Sequence, residues 1–153
     1  MLSLVAASVV VAAPAHAAIE TCAVNANYQQ YYYPRAGNHG TTQVSRGIDK
    51  LRVAIKSAQI RPAGGSGYDT LGWALLVGDT RAVKSTDRVK IQISENGGNS
   101  VGRDCGWSGP QGSPTKFAVS RMWITRADAK FVFRACHGST INNLTAVTCT
   151  AWW

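Results

Sequence analysis

The residues able to do chemistry in this chain are few, and their spacing favours binding over catalysis. His39 and His137 stand about a hundred residues apart, and Glu95 is the carboxylate that would complete an acid–base set with them. Two imidazoles and a carboxylate could shuttle protons in a small hydrolase, with arginines holding a phosphate. Both histidines, however, lie in turn-like stretches, Gly37-Asn38-His39-Gly40 and Cys136-His137-Gly138-Ser139, and nothing in the spacing brings them together. Cys136 would be a nucleophile only as a free thiolate, which a member of an oxidised cysteine set is not. Ser113-Pro114-Thr115-Lys116 matches S-x-x-K, but that chemistry sits at a helix start, whereas this match follows a Pro/Gly turn and opens an extended run. Gly64-Gly65-Ser66-Gly67 lacks the Lys-Ser/Thr that completes a phosphate loop. No C-x-x-C or H-x-x-H spacing occurs, so neither a metal nor another cofactor is expected. No residue is assigned a catalytic role, and a hydrolase built on His39, His137 and Glu95 stands as an alternative.

Binding has better candidates. Tyr28, Tyr31, Tyr32 and Tyr33 cluster beside Arg35. Exposed aromatic rings stack on sugars or fill partner pockets, and Tyr and Arg are favoured at energetic hot spots. The rival reading is that two of them pack the N-terminal segment onto the body: in an extended segment alternate side chains point opposite ways, so Tyr31 and Tyr33 would then pack while Tyr32 faces out. In the binding reading, Tyr31, Tyr32, Tyr33 and Arg35 are the expected contact residues. The net charge is +8, and the 16 Lys and Arg residues are spread from Arg35 to Arg134. Such a field attracts anionic partners: wall polymers, acidic glycans, phospholipid headgroups or an acidic protein. Nothing points to nucleic acid. A braced loop such as Asp104 to Pro114 would also suit a protease inhibitor, because pre-ordering lowers the cost of binding.

The compartment follows from the N-terminus. Leu2 to Ala13 is apolar except for Ser3 and Ser8, and Pro14-Ala15-His16-Ala17 ends in an A-x-A pattern. Residues 1–17 read as a cleaved secretory signal, although no basic residue precedes the apolar run. That run is far short of the roughly 20 residues that span a bilayer, so no transmembrane segment is expected after cleavage. In an exported chain the four cysteines, Cys22, Cys105, Cys136 and Cys149, imply two disulfides. Of the three possible pairings, Cys136–Cys149 with Cys22–Cys105 is preferred, since the first closes a short loop and the second pins the N-terminal segment to the body.

About 136 of the 153 residues remain after the signal, the length of one domain. Residues 18–47 read as an irregular N-terminal segment, rich in Asn, Gln and Tyr. From residue 48 to 153, period-2 patterns dominate. Leu51, Val53 and Ile55 alternate with Arg52 and Lys56, and Val89, Ile91 and Ile93 alternate with Arg88, Lys90 and Gln92. Thr70 to Val77 is apolar on both alternations and reads as a strand buried on both faces. Asn96-Gly97-Gly98-Asn99 is a hairpin signal, predicting a return strand over Ser100 to Trp107. Further strands are expected over Lys116 to Thr125, Lys130 to Cys136 and Ala146 to Trp152, with Phe131 and Phe133 on one face and Arg134 on the other. Six to eight short strands and two disulfides make an all-β antiparallel sandwich or barrel. Trp73, Trp107 and Trp123 are expected in its core, with one of Trp152 and Trp153 inside and the other exposed.

The Ala/Val-rich signal, the Arg134-Ala135-Cys136 element and the Cys149-x-x-Trp152-Trp153 ending resemble those of small secreted actinobacterial proteins. In size and export route the chain is similar to the small adaptor subunit of actinobacterial umbrella toxin particles. Those adaptors link a repeat-bearing toxin to a lectin through an N-terminal extension. The resemblance implies an adaptor role with the tyrosine-rich segment as the contact, and hence a subunit of a secreted antibacterial toxin complex. The expected function is a secreted, non-catalytic binding or adaptor protein that engages an extracellular protein or an anionic cell-wall polymer.

Overall fold

The computed structural model describes residues 20–21, 40–61, 67–111, 117–125 and 128–153. The strands are β1 (Glu20–Thr21), β2 (Thr41–Ile48), β3 (Leu51–Ile60), β4 (Asp69–Gly78), β5 (Asp87–Ser94), β6 (Arg103–Asp104), β7 (Pro110–Gln111), β8 (Phe117–Val119), β9 (Trp123–Ile124), β10 (Val132–Ser139) and β11 (Thr148–Cys149). Among the described residues the only helical element is the short 3-10 turn Thr140–Asn142. Two sheets form, ordered β1-β6-β5-β10-β11 and β2-β3-β4-β8-β7, with β9 also pairing to β4. All pairs are antiparallel except β1 with β6.

The alternations read from the sequence set what faces inward. Leu51, Val53 and Ile55 of β3 and Ala74 and Leu76 of β4 pack against Val89, Ile91 and Ile93 of β5 and Phe133 and Ala135 of β10. Each large aliphatic side chain removed from water this way contributes about 1.5–3 kcal/mol. The result is a β-sandwich. The run over Thr70 to Val77 is buried on both faces, as expected: its other alternation, Leu71, Trp73 and Leu75, joins Val119 and Met122 in a second apolar cluster. Phe131 and Phe133 share a face and meet edge to face at 5.2 Å.

The strand count differs from the expected six to eight, because several strands break into pieces as short as two residues. The return strand expected over Ser100 to Trp107 is ladder-paired at Arg103–Asp104, with a single further bridge at Ser108 to Val89. The strand expected over Lys116 to Thr125 splits into β8 and β9. At the break, the Ser120 N–H still donates to the Ala74 carbonyl at 2.9 Å, but its hydroxyl accepts the Ala74 N–H at 2.8 Å.

Strand β2 begins inside the stretch that reads as irregular. Its sequence, Thr41-Thr42-Gln43-Val44-Ser45-Arg46-Gly47-Ile48, is mostly polar and mostly exposed, as befits an edge strand. The two-residue turn to β3 is Asp49-Lys50, both at positive φ (47° and 63°), a geometry usually given to Asn-Gly. The strain is offset by the neighbouring loop: the Lys50 carbonyl accepts the N–H groups of Asp79, Thr80 and Arg81 at 3.0–3.3 Å, and Arg81 Nε donates to the Asp49 carbonyl at 2.8 Å.

The Cys136–Cys149 bridge forms as expected. The two residues are direct cross-strand partners, with an S–S length of 2.01 Å and a sequence separation of 13. Beyond β11 the chain stays hydrogen-bonded to β10. The Thr150 N–H donates to the Ala135 carbonyl at 2.9 Å, while Phe133 and Trp153 exchange both backbone bonds at 2.8 Å. Between these contacts Ala151 and Trp152 together oppose Arg134, a one-residue shift of the kind that defines a β-bulge. It turns Trp153 inward with Phe133 and Trp152 outward with Arg134. Cys105 is disulfide-bonded as well, and its expected partner Cys22 lies outside the described residues.

Closing a loop of this size stabilises a fold by about 3 kcal/mol. Cys149→Ser is therefore expected to lower the thermal midpoint by several degrees, and a reductant, which also opens the Cys105 bridge, should lower that of the parent chain at least as far. Calorimetry with and without dithiothreitol measures both.

Candidate functional site

Residues opposite each other in an antiparallel pair share a face. In the β5–β10 ladder Gln92 faces Arg134 and Lys90 faces Cys136, and in the β5–β6 ladder Gln92 faces Asp104. Lys90, Gln92, Asp104, Arg134 and the disulfide thus share the outer surface of one sheet. Arg46 reaches them from edge strand β2 of the other sheet, its Nη1 donating to the Cys149 carbonyl at 3.0 Å. Arg46, Lys90, Gln92, Arg134 and Cys149, with Val147 and Thr150, line an open cleft of about 510 Å³.

The cleft is polar and its cations are held in place. Lys90 Nζ pairs with Asp104 and stands 4.5 Å from the centre of the Trp107 ring. Gln92 Nε2 donates to the same carboxylate oxygen at 3.0 Å, which fixes the amide so that its Oε1 accepts Arg134 Nε at 2.9 Å. The Arg134 guanidinium lies 4.4 Å from the Trp152 ring centre. Two glycines seat the indoles: a Cβ on Gly98 would stand 2.6 Å from Trp152 Cδ1, and one on Gly138 would stand 2.8 Å from Trp107 Cη2. Each tryptophan is therefore pressed between a glycine and a cation, which desolvates the cation and gains cation–π attraction. Lys90 and Gln92 retain only 9% of their accessible surface although they point away from the core.

Arg134 is a part-buried cation with no carboxylate in direct contact among the described residues. Among the described residues its hydrogen bond goes to a neutral amide, not a carboxylate. Burial pulls its guanidinium below the ordinary value, and the charge of Asp104 offsets only part of this. It stays charged, because arginine does not deprotonate in proteins. The site sets three cations, Arg46, Lys90 and Arg134, against the carboxylate of Asp104. Two of the three are anchored by side-chain partners, so little ordering cost is left for a ligand to meet. Such a cleft can hold phosphate, sulfate or carboxylate groups, with guanidinium forks suited to two-oxygen contacts.

The other candidates are placed differently. Tyr28, Tyr31, Tyr32, Tyr33, Arg35, His39 and Cys22 lie outside the described residues, as do Ser113 to Lys116 and the end of the Asp104 to Pro114 loop. His137 is buried and structural. Its Nε2 is 3.0 Å from Asp87 Oδ1, and Asp87 also receives Arg81 Nη1 at 2.8 Å and the Lys84 N–H at 2.7 Å. Glu95 sits at the far end of the ladder, where it bonds Arg103 at 3.3 Å. His137 opposes Val89 and Val132 opposes Ser94, so His137 and Glu95 are about 20 Å apart at roughly 3.3 Å per residue. The structure does not assemble them into an acid–base pair. Of the expected core tryptophans, Trp73 is fully buried and Trp123 is half-buried, packing against the core on one side and facing the Arg103 guanidinium at 5.1 Å, while Trp107 is half-buried outside the core, where it covers Lys90. Trp152 and Trp153 are both half-buried, on opposite faces of the sheet.

No family model, curated protein or solved structure matches the chain.

The Asp87 cluster makes stability acid-sensitive. Burial pushes its carboxyl up, but hydrogen bonds from Arg81, the Lys84 N–H and His137 outweigh this and hold it at about 2. A carboxyl depressed in the folded state stabilises the fold fully above the ordinary carboxylate value of about 4 and loses that contribution as pH falls towards 2. The free energy of unfolding should drop across that window, by about 2 kcal/mol from this group, and the thermal midpoint with it. Asp87→Asn should start lower at neutral pH and show a shallower acid decline.

Proposed function

We propose that this protein is an extracellular, non-catalytic binding domain that engages an anionic polymer through the Arg46–Lys90–Arg134 cleft. The observation that carries this reading is the pairing of Arg134 with a neutral amide and an indole, beside two further cations and a single carboxylate. An anionic group entering the cleft would complete charge pairing that the described residues leave incomplete. The apolar run over Leu2 to Ala13 with its A-x-A end supports export, and a disulfide suits an oxidising compartment. The bonded state of Cys105 supports a second bridge to Cys22, which would tie the tyrosine-rich segment to the β6 side of the same sheet. Tyr31, Tyr32, Tyr33 and Arg35 would then offer further contacts to a partner.

Polyanion binding of this kind releases counterions and weakens steeply with salt. Heparin, polyphosphate and polygalacturonate serve as sulfate-, phosphate- and carboxylate-bearing probes. Arg134→Gln is expected to weaken the best of them roughly tenfold, since a hydrogen bond to a charged group contributes about 1.5–3 kcal/mol. Lys84→Gln, which removes the same charge from an exposed loop, should change affinity little. Calorimetric titration at two salt concentrations decides the matter. Equal binding by Arg134→Gln and the parent chain would remove the cleft from the reading. Retention of a stoichiometric protein on the immobilised chain, with no polyanion bound, would replace it with the adaptor role.

A further inference from the structure

A second groove, of opposite character, opens at the end of the sandwich where β4 and β10 begin. It is lined by Tyr68, Thr125, Asp128, Phe131 and Trp153 among others and has a volume of about 610 Å³, within the 300–1,000 Å³ typical of small-ligand sites. Tyr68 is 67% exposed and Ile124 is 39% exposed. Large apolar side chains left open to water beside a concave surface mark a contact site.

The groove is built rather than incidental. Trp153 exchanges both backbone hydrogen bonds with Phe133 at 2.8 Å, and their ring centres lie 6.0 Å apart. Phe133 is in turn fixed edge to face against Phe131. Gly72 leaves the space that the floor needs, since a Cβ there would stand 3.3 Å from Thr125 Cγ2 and 3.8 Å from Trp153 Cζ3. The rim is polar. Asp128 spends Oδ1 on the Lys130 N–H at 2.9 Å, and a carboxylate has acceptor capacity beyond one such bond. Thr125 Oγ1 donates to the Thr70 carbonyl at 3.1 Å, which leaves its lone pairs to accept. The described lining carries the carboxylates of Asp69 and Asp128 and no Lys or Arg, in a chain whose net charge is +8.

These features select a ligand class. The Asp128 carboxylate at the rim disfavours anions, in contrast to the cationic cleft. Rigid rings want an apolar face, and the carboxylate and hydroxyl acceptors want donors. We propose that this groove is a carbohydrate site for an uncharged pyranose unit, with the sugar's C–H face against Tyr68 and Trp153 and its hydroxyls donating to Asp128 and Thr125. This goes beyond the anionic-polymer reading and stands or falls separately from it.

The test titrates the full chain with neutral cello-, malto- and N-acetylated chito-oligosaccharides, and with cationic glucosamine oligomers for comparison, following tryptophan fluorescence and calorimetric heat. At least one series is expected to bind saturably, with little dependence on salt. Tyr68→Ala should weaken it about tenfold, as loss of an aromatic hot spot does, with an unchanged melting temperature. Asp128→Asn should weaken the same sugar while leaving polyanion binding intact, and Arg134→Gln should leave the sugar affinity unchanged. The proposal is overturned if none of the series binds, or if Tyr68→Ala binds as the parent does. It is equally overturned if binding is confined to glucosamine oligomers and vanishes in salt, since a cation would then be the occupant.

Discussion

The register of β10 is the constraint on which the rest of this structure depends. It lies between β5 and β11, and each of its residues is opposed on one or both sides. Because side chains alternate, a slip of one residue would carry Phe133 and Ala135 out of the core and bring Arg134 into it. The burial of those residues opposes the slip on one side, and the Cys136–Cys149 bond opposes it on the other, since a one-residue slip would turn the two sulfurs to opposite faces. The covalent link and the apolar core therefore enforce the same alignment.

That alignment also distributes chemistry between the faces of the sheet. On the outer face it gathers Lys90, Gln92, Arg134 and the disulfide, and on the inner face it aligns Phe133 with Trp153. The one-residue shift opposite Arg134 sends two consecutive tryptophans in opposite directions. Trp152 covers a guanidinium on the cationic side, and Trp153 walls the apolar groove. The last residues of the chain are thus shared between two surfaces of contrasting charge, an economy that a flat strand of alternating residues could not provide.

Charge is handled differently at the two ends of the ladder. Near its β5 start, Asp87 is compensated by Arg81, by a backbone N–H and by His137, and the cluster ties the loop after β4 to the Asp49 turn. Every partner there is internal, which suits a structural role. In the cleft the cations face indoles, an amide and one carboxylate. Desolvating a cation without matching it is costly. The fold sustains that cost at a concave surface where an outside anion can reach it, and that contrast separates a candidate binding site from a structural ion cluster.

Much of the sandwich was legible in local pattern. The period-2 runs over Leu51 to Ile55 and Val89 to Ile93, the doubly apolar run over Thr70 to Val77 and the short Cys136–Cys149 spacing each express a local rule, and each appears in the structure. Strand β2 was hidden because an edge strand needs few apolar residues, and its turn, Asp49-Lys50, lacks the glycine that usually reveals such a geometry. Its stability comes from carbonyl contacts with residues some thirty positions away. The cleft was hidden for a related reason. Alternation alone says that Lys90 and Gln92 share a face, and that Arg134 lies opposite Phe133 across its own strand. Which strands become neighbours, and in what register, is decided by long-range packing and by loop closure. The sequence by itself determined which residues avoid water. Only the tertiary structure decided which charges meet, because that depends on pairing between segments whose separation leaves no local trace.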